Sequence, residues 1–271
     1  MISTYFKIEL KIIFRKKLYL VMSIFLPVVF YLLFTSILDM PEEAKLKFYK
    51  EYMYSMTVFS LMNFCLLSFP LDLIEERNQG WYKRLMVTPL SSFQYYLVKI
   101  SKTMCQFLIA ITIIFSVAHF YKDVHMTVFQ WIFSALTLWI GVSLFLTLGL
   151  IIAQLNDIQK ASSFANLLNI TLAILGGLWF PVYTFPDWLQ SISKHMPTYN
   201  LKLLAIDLAQ NKGVNIEAFG YLVVYCIIFL SIALFMNKKG DVPNGIKKLG
   251  SENRGIKYFN IFNISDFSYI C

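Results

Sequence analysis

Long apolar runs separated by short polar segments dominate the chain. A helix satisfies its own backbone hydrogen bonds and needs about 20 apolar residues to cross a bilayer, so each run predicts a spanning helix. We find such runs at approximately residues 18–38, 52–73, 103–121, 128–154, 162–180 and 218–236. The pattern predicts an all-α integral membrane protein with six transmembrane helices in residues 1–236, followed by a cytoplasmic tail in residues 237–271.

The start of the chain has a different pattern, in which basic and apolar positions alternate with helical spacing. Lys7, Lys11 and Arg15 recur at i, i+4 and i+8. This spacing predicts an amphipathic helix lying in the membrane interface. A basic flank that only orients the first span is the alternative. The first apolar run is too long for a signal peptide and no small-residue cleavage site follows it, so we expect a retained span.

Composition excludes most soluble classes. The 271 residues are 58% hydrophobic and only 15% charged, against about 25% charged in soluble domains. The net charge of +8 need not indicate nucleic acid, because Lys and Arg accumulate in cytoplasmic loops of membrane proteins. With both termini placed inside, 17 of the 24 basic residues fall on that side. We therefore expect a multi-pass plasma-membrane protein with cytoplasmic termini and no nucleic-acid partner.

Catalytic motifs are missing from the sequence. The nearest approach to a phosphate-binding loop is Gly240 to Gly245, and Ile246 stands where the required Lys would be. The three histidines and four cysteines show no metal-ligand spacing. We expect no catalytic residue, cofactor or metal on this chain. A membrane-embedded enzyme is disfavoured because no clustered catalytic set is visible.

The segment after the second run combines charges, a glycine and aromatic residues, and Thr88-Pro89 ends it. These residues predict a docking surface for a soluble partner, because a plain membrane anchor needs neither the carboxylates nor the glycine. An interfacial anchor belt is the alternative. The candidate coupling residues are Glu75, Glu76, Arg77, Gly80, Trp81, Tyr82, Lys83 and Arg84.

At these positions the sequence resembles the ABC-2-type permease family, the membrane subunits of a class of ABC exporters. The resemblance rests on an acidic-Arg pair, a following glycine, a Leu, a Thr-Pro-Leu-Ser turn and a Lys. The corresponding residues are Glu76-Arg77, Gly80, Leu85, Thr88-Pro89-Leu90-Ser91 and Lys99. The family's usual Gly-Thr pair is Gly80-Trp81 here.

A second resemblance covers residues 176–190 and 197–200. Prolines prevent one continuous helix there, and aromatic residues supply an apolar face, so short amphipathic pieces are expected. We expect Pro181 to end the fifth span. In the family this region forms short re-entrant helices that cap the exit side; an ordinary loop with a Trp anchor is the alternative. The candidate residues are Trp179, Pro181, Pro186, Trp188 and Pro197.

Polar residues also occur within the predicted spans, where they are costly unless they face protein or water. In the fifth run small or polar residues recur at i+3 and i+4 spacing as one stripe, which consists of Ser162, Asn166, Asn169, Ala173 and Gly176-Gly177. Helix packing or a dimer contact explains the stripe, and a substrate path is the alternative. The polar candidates on the stripe are Ser162, Asn166 and Asn169, and Asn63 in the second run and Gln106 in the third are further candidates.

The resemblance implies a bacterial exporter of the drug- or antimicrobial-resistance type. It implies two ABC ATPase subunits that hold ATP and Mg²⁺, and a second permease copy or paralogue within the membrane lipid. The aromatic, apolar spans favour an amphiphilic substrate such as a drug, an antimicrobial peptide or a lipid. A lipid-linked polysaccharide exporter and a non-transporting interaction or immunity protein are the alternatives.

Overall fold

The computed structural model describes residues 2–15, 17–38, 41–210 and 212–239. The described residues are 84% helical, and no strand occurs among them. The predicted tail lies outside the described residues from residue 240 onward. The helices are α1 Ile2–Arg15, α2 Lys17–Ile37, α3 Glu42–Asn63, α4 Phe69–Asn78, α5 Trp81–Met86, α6 Ser92–Lys122, α7 Val128–Gly141, α8 Leu144–Ile152, α9 Ile158–Leu175, α10 Asp187–His195, α11 Pro197–Ala209 and α12 Ile216–Lys239.

Five of the described segments are long and apolar enough to cross a membrane. They coincide with five of the six predicted runs, which confirms an all-α membrane architecture. The remaining run, 162–180, corresponds to α9, which carries Lys160, Asn166 and Asn169 and is not among the five. The count of six spans therefore stays a prediction. The five segments are Leu20–Ile37, Ala44–Asn78, Ser92–Lys122, Val128–Ile152 and Ile216–Ala233.

The second span is one long helix in which α3 passes into α4 through a π-helical segment, Phe64–Ser68. Pro70 lies two residues beyond it. Proline lacks a backbone N–H and its ring clashes with the carbonyl four residues earlier, which is Leu66 here. A wider π turn at that point accommodates the ring. Gly149 of α8 packs against the carbonyl of Cys65 in this segment, where a Cβ would collide with it.

The long helix formed by α3 and α4 is the core of the protein. In the most apolar part of this helix, 89% of the residues are buried inside the chain. The corresponding share is 11% for α12 and 28% for α2. It packs against α2, α6 and α11. The outer helices α2 and α12 instead expose apolar surface, which suits contact with lipid or another membrane subunit.

The fifth predicted run ends earlier than expected. We predicted that Pro181 ends the helix, and this was wrong, because α9 ends at Leu175. Gly176 and Gly177 turn the chain there, with Gly177 at φ +63°, a conformation that favours glycine. A Cβ on Gly176 would collide with Thr198, whose hydroxyl donates to the Leu172 carbonyl at 3.0 Å.

Short helices precede the last span, as predicted. Pro186 precedes α10, and Pro197 is the first residue of α11, a position where proline's missing N–H costs nothing. Pro181 directly precedes a short 3₁₀ turn, Val182–Thr184. The helix α11 packs against α3, α7 and α12.

Candidate coupling site

A tight turn joins α4 to α5. Gly80 has φ +72° and precedes the first residue of α5. Its N–H donates to the Arg77 carbonyl at 3.1 Å. A Cβ at this position would have no heavy atom within 4 Å. The requirement for glycine is therefore one of backbone conformation and not of space.

The short helix α5 attaches to the protein by one side and exposes the other. Tyr82 is buried, its hydroxyl lies 3.1 Å from that of Ser92, and its ring meets Tyr95 edge-on at 5.0 Å. Burial raises the pKa of Tyr82, so its phenol stays neutral. Trp81 is 40% exposed, and Lys83 and Arg84 are exposed beside it. These three residues form an accessible aromatic and basic surface, which we name the α5 surface.

Arg77 contacts the residues that follow α8, at the end of the apolar segment Val128–Ile152. Its guanidinium donates to the Ala153 carbonyl and, at 3.4 Å, to the Leu155 carbonyl. The side-chain amide of Asn78 donates to the Asn156 carbonyl at 3.3 Å. Carbonyls just beyond a helix C-terminus lack intrahelical partners and carry partial negative charge, so a cation there is favourable. Arg77 thus ties α4 to the end of α8.

Glu76 belongs to a largely buried group of acidic and basic side chains, which we name the charged cluster. Lys99 donates to Glu9 at 2.6 Å and also to Glu76. Lys102 lies 2.7 Å from Asp72 and 3.4 Å from Glu9. Charged groups removed from water are costly unless they are paired and hydrogen-bonded, as they are here. The cluster consists of Glu9, Asp72, Glu76, Lys99 and Lys102.

Two tyrosines complete the surroundings of the charged cluster. The Tyr95 hydroxyl donates to Glu76 at 2.6 Å, and Tyr5 stacks on Tyr95 at 6.1 Å. Burial and the nearby carboxylates, Glu9 foremost, raise the pKa of Tyr5, so its phenol is neutral. The cluster joins three elements, α1, α4 and α6, through ionic contacts.

The α1 part of this cluster was missed from the sequence. We predicted an amphipathic helix with Lys7, Lys11 and Arg15 outward, and all three are exposed. The opposite face buries Glu9 between Tyr5 and Ile13. An acidic residue in the middle of an otherwise apolar i, i+4, i+8 stripe was the available signal.

The structure divides the predicted coupling residues into two groups. The side chains of Glu76 and Arg77 bind other parts of the same chain, and Tyr82 is buried. Glu75 is partly exposed and accepts a hydrogen bond from Gln79 at 3.1 Å. Trp81, Lys83 and Arg84 form the accessible α5 surface. The coupling role of all these residues stays a prediction.

The polar residues predicted within the spans also fall into two groups, buried and accessible. Asn169 donates to Asn63, and both residues are buried, so this pair joins α9 to α3 within the chain. Gln106 is buried in α6. Asn166 is exposed and donates to the Ser162 carbonyl at 3.0 Å. Of the stripe, only Ser162 and Asn166 are available to a second subunit or a substrate.

The two tryptophans predicted at the exit side differ in their surroundings. Trp179 packs edge-on against Phe30 and Phe59, at 5.7 and 5.6 Å. Trp188 in α10 is 66% exposed. The first holds the turn after α9 against α2 and α3, and the second is available to lipid.

Among the described residues, no group of three or more His, Cys, Asp and Glu is arranged to hold a metal ion.

The described residues contain five long apolar segments. The short helix α5 lies outside them, and the residues just before it, Glu76 and Arg77, contact α6 and the end of α8. These features define a multi-span membrane subunit with an accessible contact surface outside its spans. The chain belongs to the ABC-2 type transporter family, whose sequence profile matches residues 2–201. It is 28% identical over 233 residues to "Putative transport permease YvfS" of Bacillus subtilis (strain 168), covering 86% of this chain and 95% of that protein.

Family membership confirms the resemblance drawn from residues 76–99. The chain is a transmembrane transporter subunit, of a family whose membrane subunits lack an ATPase domain of their own. The family implies an ABC ATPase as partner in general. The multi-pass membrane location follows from the family and from the apolar helices together.

Proposed function

We propose that this permease exports an amphiphilic drug, antimicrobial peptide or lipid across the bacterial plasma membrane. It works as a dimer of permeases with two separate ABC ATPases that hold ATP and Mg²⁺. In this proposal, the side of the folded protein that carries α1 and α5 faces the cytoplasm. The aromatic, apolar character of the spans and the exposed apolar surfaces of α2 and α12 support a lipid-like substrate.

The observation that carries the coupling mechanism is the division between surface and interior around α5. The α5 surface offers Trp81 and Arg84, residue types that often dominate binding energy at protein contacts. Directly behind it, Arg77 holds the end of α8 and Glu76 holds α6 through Lys99. A displacement of α5 by an ATPase would therefore reach two spans through short polar contacts.

This division predicts two different defects. Trp81→Ala with Arg84→Ala removes exposed contacts, so ATPase binding should weaken by about 2 kcal/mol or more while the permease still folds. Arg77→Ala leaves the α5 surface intact but frees the end of α8. It should preserve ATPase binding and reduce transport per ATP hydrolysed. Trp81 and Arg84 lie outside the five long apolar segments, and Arg77 lies at the end of the second, Ala44–Asn78.

The experiment uses the permease co-purified with its ABC ATPase and reconstituted in vesicles. ATPase affinity, ATP hydrolysis and export are measured separately, with expression and insertion matched. Lys160→Ala is the matched control, since Lys160 is an exposed basic residue at the start of α9. Stoichiometric ATP binding by the isolated permease, or unchanged affinity and coupling in both variants, would contradict the proposal.

A further inference from the structure

A cavity of about 330 Å³ with several charged lining residues lies far from the charged cluster, between the start of α3 and the segment that joins α9 to α12. Basic residues reach it from four separate elements: α3, α10, α11 and the connection that follows α11. Two carboxylates, one on α3 and one on α11, also line it. We name it the lysine cavity; its charged lining residues are Lys47, Lys194, Lys202, Lys212, Glu51 and Asp207.

Basic residues outnumber acidic residues in the lining of the lysine cavity. Four lysines face two carboxylates, and among the described residues no ion pair joins any of the four to Glu51 or Asp207. The carboxylate of Asp207 instead accepts from the side-chain amide of Asn215 at 2.9 Å. The described lining therefore has an excess of positive charge in a concave site, which attracts anions and repels metal cations.

Lys202 is the most enclosed of these lysines. Its ammonium donates to the Gly177 carbonyl at 2.8 Å and lies 5.7 Å from the centre of the Tyr199 ring. One hydrogen bond uses one of its three donors, and the other two remain for a ligand. Burial lowers the pKa of Lys202 to about 8, and Glu51 partly opposes this. Burial, Asp207 and Glu51 raise the pKa of Tyr199, so its phenol adds no negative charge.

We propose that the lysine cavity binds the phosphate group of a small phosphoester. Lysine ammonium groups are strong point-charge partners for phosphate oxygens. Glu51 and Asp207 would accept hydrogen bonds from hydroxyl or ammonium groups on the rest of the ligand. A volume near the lower end of ligand pockets fits a headgroup-sized molecule and excludes a whole lipid with its acyl chains.

Aromatic residues around the cavity indicate its depth in the membrane. Tyr183, which lines it, is 67% exposed, and Trp188 on the neighbouring α10 is 66% exposed. Exposed Tyr and Trp are typical of the headgroup region. The phosphoester can therefore be a lipid headgroup that enters from the bilayer or a soluble molecule that enters from water. The proposal does not depend on the transported substrate.

The test uses full-length permease in alkyl maltoside micelles, which contain no phosphate, at pH 8 and constant ionic strength. Acylation rates of individual lysines are measured by mass spectrometry with and without glycerol phosphate, and in mixed micelles that contain phosphatidylglycerol. Bound phosphate should slow acylation of Lys202 and Lys47 by about tenfold, because an ammonium bonded to phosphate is not nucleophilic. Exposed Lys160 should react at an unchanged rate.

Protection by glycerol phosphate identifies a site for soluble phosphoesters, and protection by phosphatidylglycerol alone identifies a headgroup site; both support the proposal. Absence of protection in both conditions, or equal protection by chloride, overturns it. In a second test, Lys47→Gln with Lys194→Gln should raise the concentration that protects Lys202 by about tenfold. Both residues are exposed, so the fold should survive. Lys83→Gln with Lys160→Gln removes the same charge elsewhere, and equal protection in the two double variants overturns the proposal.

Discussion

The charged cluster and the lysine cavity lie near opposite ends of the long helix formed by α3 and α4. Glu51 in the cavity and Asp72 in the cluster are 21 residues apart, about 31 Å along a helix that rises 1.5 Å per residue. This is close to the thickness of the hydrocarbon core. Both sites combine carboxylates with lysines, but they use these groups differently.

In the charged cluster each acidic or basic side chain has a partner of opposite type. Glu9 is fully buried and Lys99 and Lys102 are nearly so, at ion-pair distances of 2.6 to 3.4 Å from acidic oxygens. In the lysine cavity, the lysines remain apart from the carboxylates among the described residues. Paired buried charges fix the relative positions of helices, whereas unpaired charges in a cavity remain available to a ligand. The first site is therefore suited to holding structure and the second to recognition.

The largest effect should come from breaking the charged cluster at Glu9. Glu9→Gln removes the charge that faces both Lys99 and Lys102, and loss of one partner from a buried ion network costs about 3–5 kcal/mol. The variant should show a lower midpoint of thermal unfolding, measured by size-exclusion chromatography of heated samples. Lys11→Gln lies on the exposed face of α1 and is the control. If Glu9→Gln and Lys11→Gln melt at the same temperature, the cluster does not hold the fold.

A double-mutant cycle compares the two sites directly. Lys102→Met with Asp72→Asn should give an interaction free energy of about 1–3 kcal/mol, because the two groups are paired and largely buried. Lys47→Met with Glu51→Gln should give about 0.5 kcal/mol or less, since no ion pair joins them and both reach solvent. Unfolding free energies of the single and double variants supply both values. Equal interaction energies would remove the distinction between the sites.

The sequence predicted the helices better than the polar contacts between them. Apolar runs set the spans, and the predicted boundary failed at residues 176–181 because two glycines end the helix before the proline does. The π segment before Pro70 also went unpredicted. It depends on how the helix accommodates the proline ring, and apolar periodicity does not report this.

The two charged sites differ in how far the sequence could reveal them. The coupling segment stood out because its residues are contiguous in the chain. The charged cluster unites Glu9 with Lys99, which are 90 residues apart, and nothing in a single sequence pairs them. The lysine cavity was harder still, since Lys47 and Lys194 each look like ordinary loop lysines until the fold brings them together. Both sites are products of tertiary packing.

The titration of Lys202 gives a further test of the lysine cavity. Its folded pKa of about 8 is below the value of about 10.4 for lysine in model peptides. The unfolded chain therefore binds more protons between these values, so this residue's contribution to stability rises as pH increases from about 8 to about 10.4. Acylation of Lys202 in phosphate-free buffer should reach half its maximal rate near pH 8.

The carboxylate of Glu51 gives this titration an internal control. Because Glu51 favours the charged form of Lys202, Glu51→Gln should move the acylation midpoint to lower pH. Bound glycerol phosphate should move it to higher pH for the same electrostatic reason. A Lys202 midpoint equal to that of a lysine peptide would show that the cavity does not desolvate the ammonium.

The smallest perturbation tests whether the two sites lie on opposite sides of the membrane. Lys83→Cys and Lys194→Cys replace exposed residues near the charged cluster and at the lysine cavity, so each should change stability by no more than about 0.5 kcal/mol. The background is a variant without native cysteines, because Cys105 and Cys226 are only partly buried. The distribution of basic residues predicts that an impermeant thiol reagent added to intact cells labels Lys194→Cys and leaves Lys83→Cys unlabelled until the membrane is opened. Labelling of Lys83→Cys from outside would place the α5 surface away from any cytoplasmic ATPase and would overturn the proposed coupling.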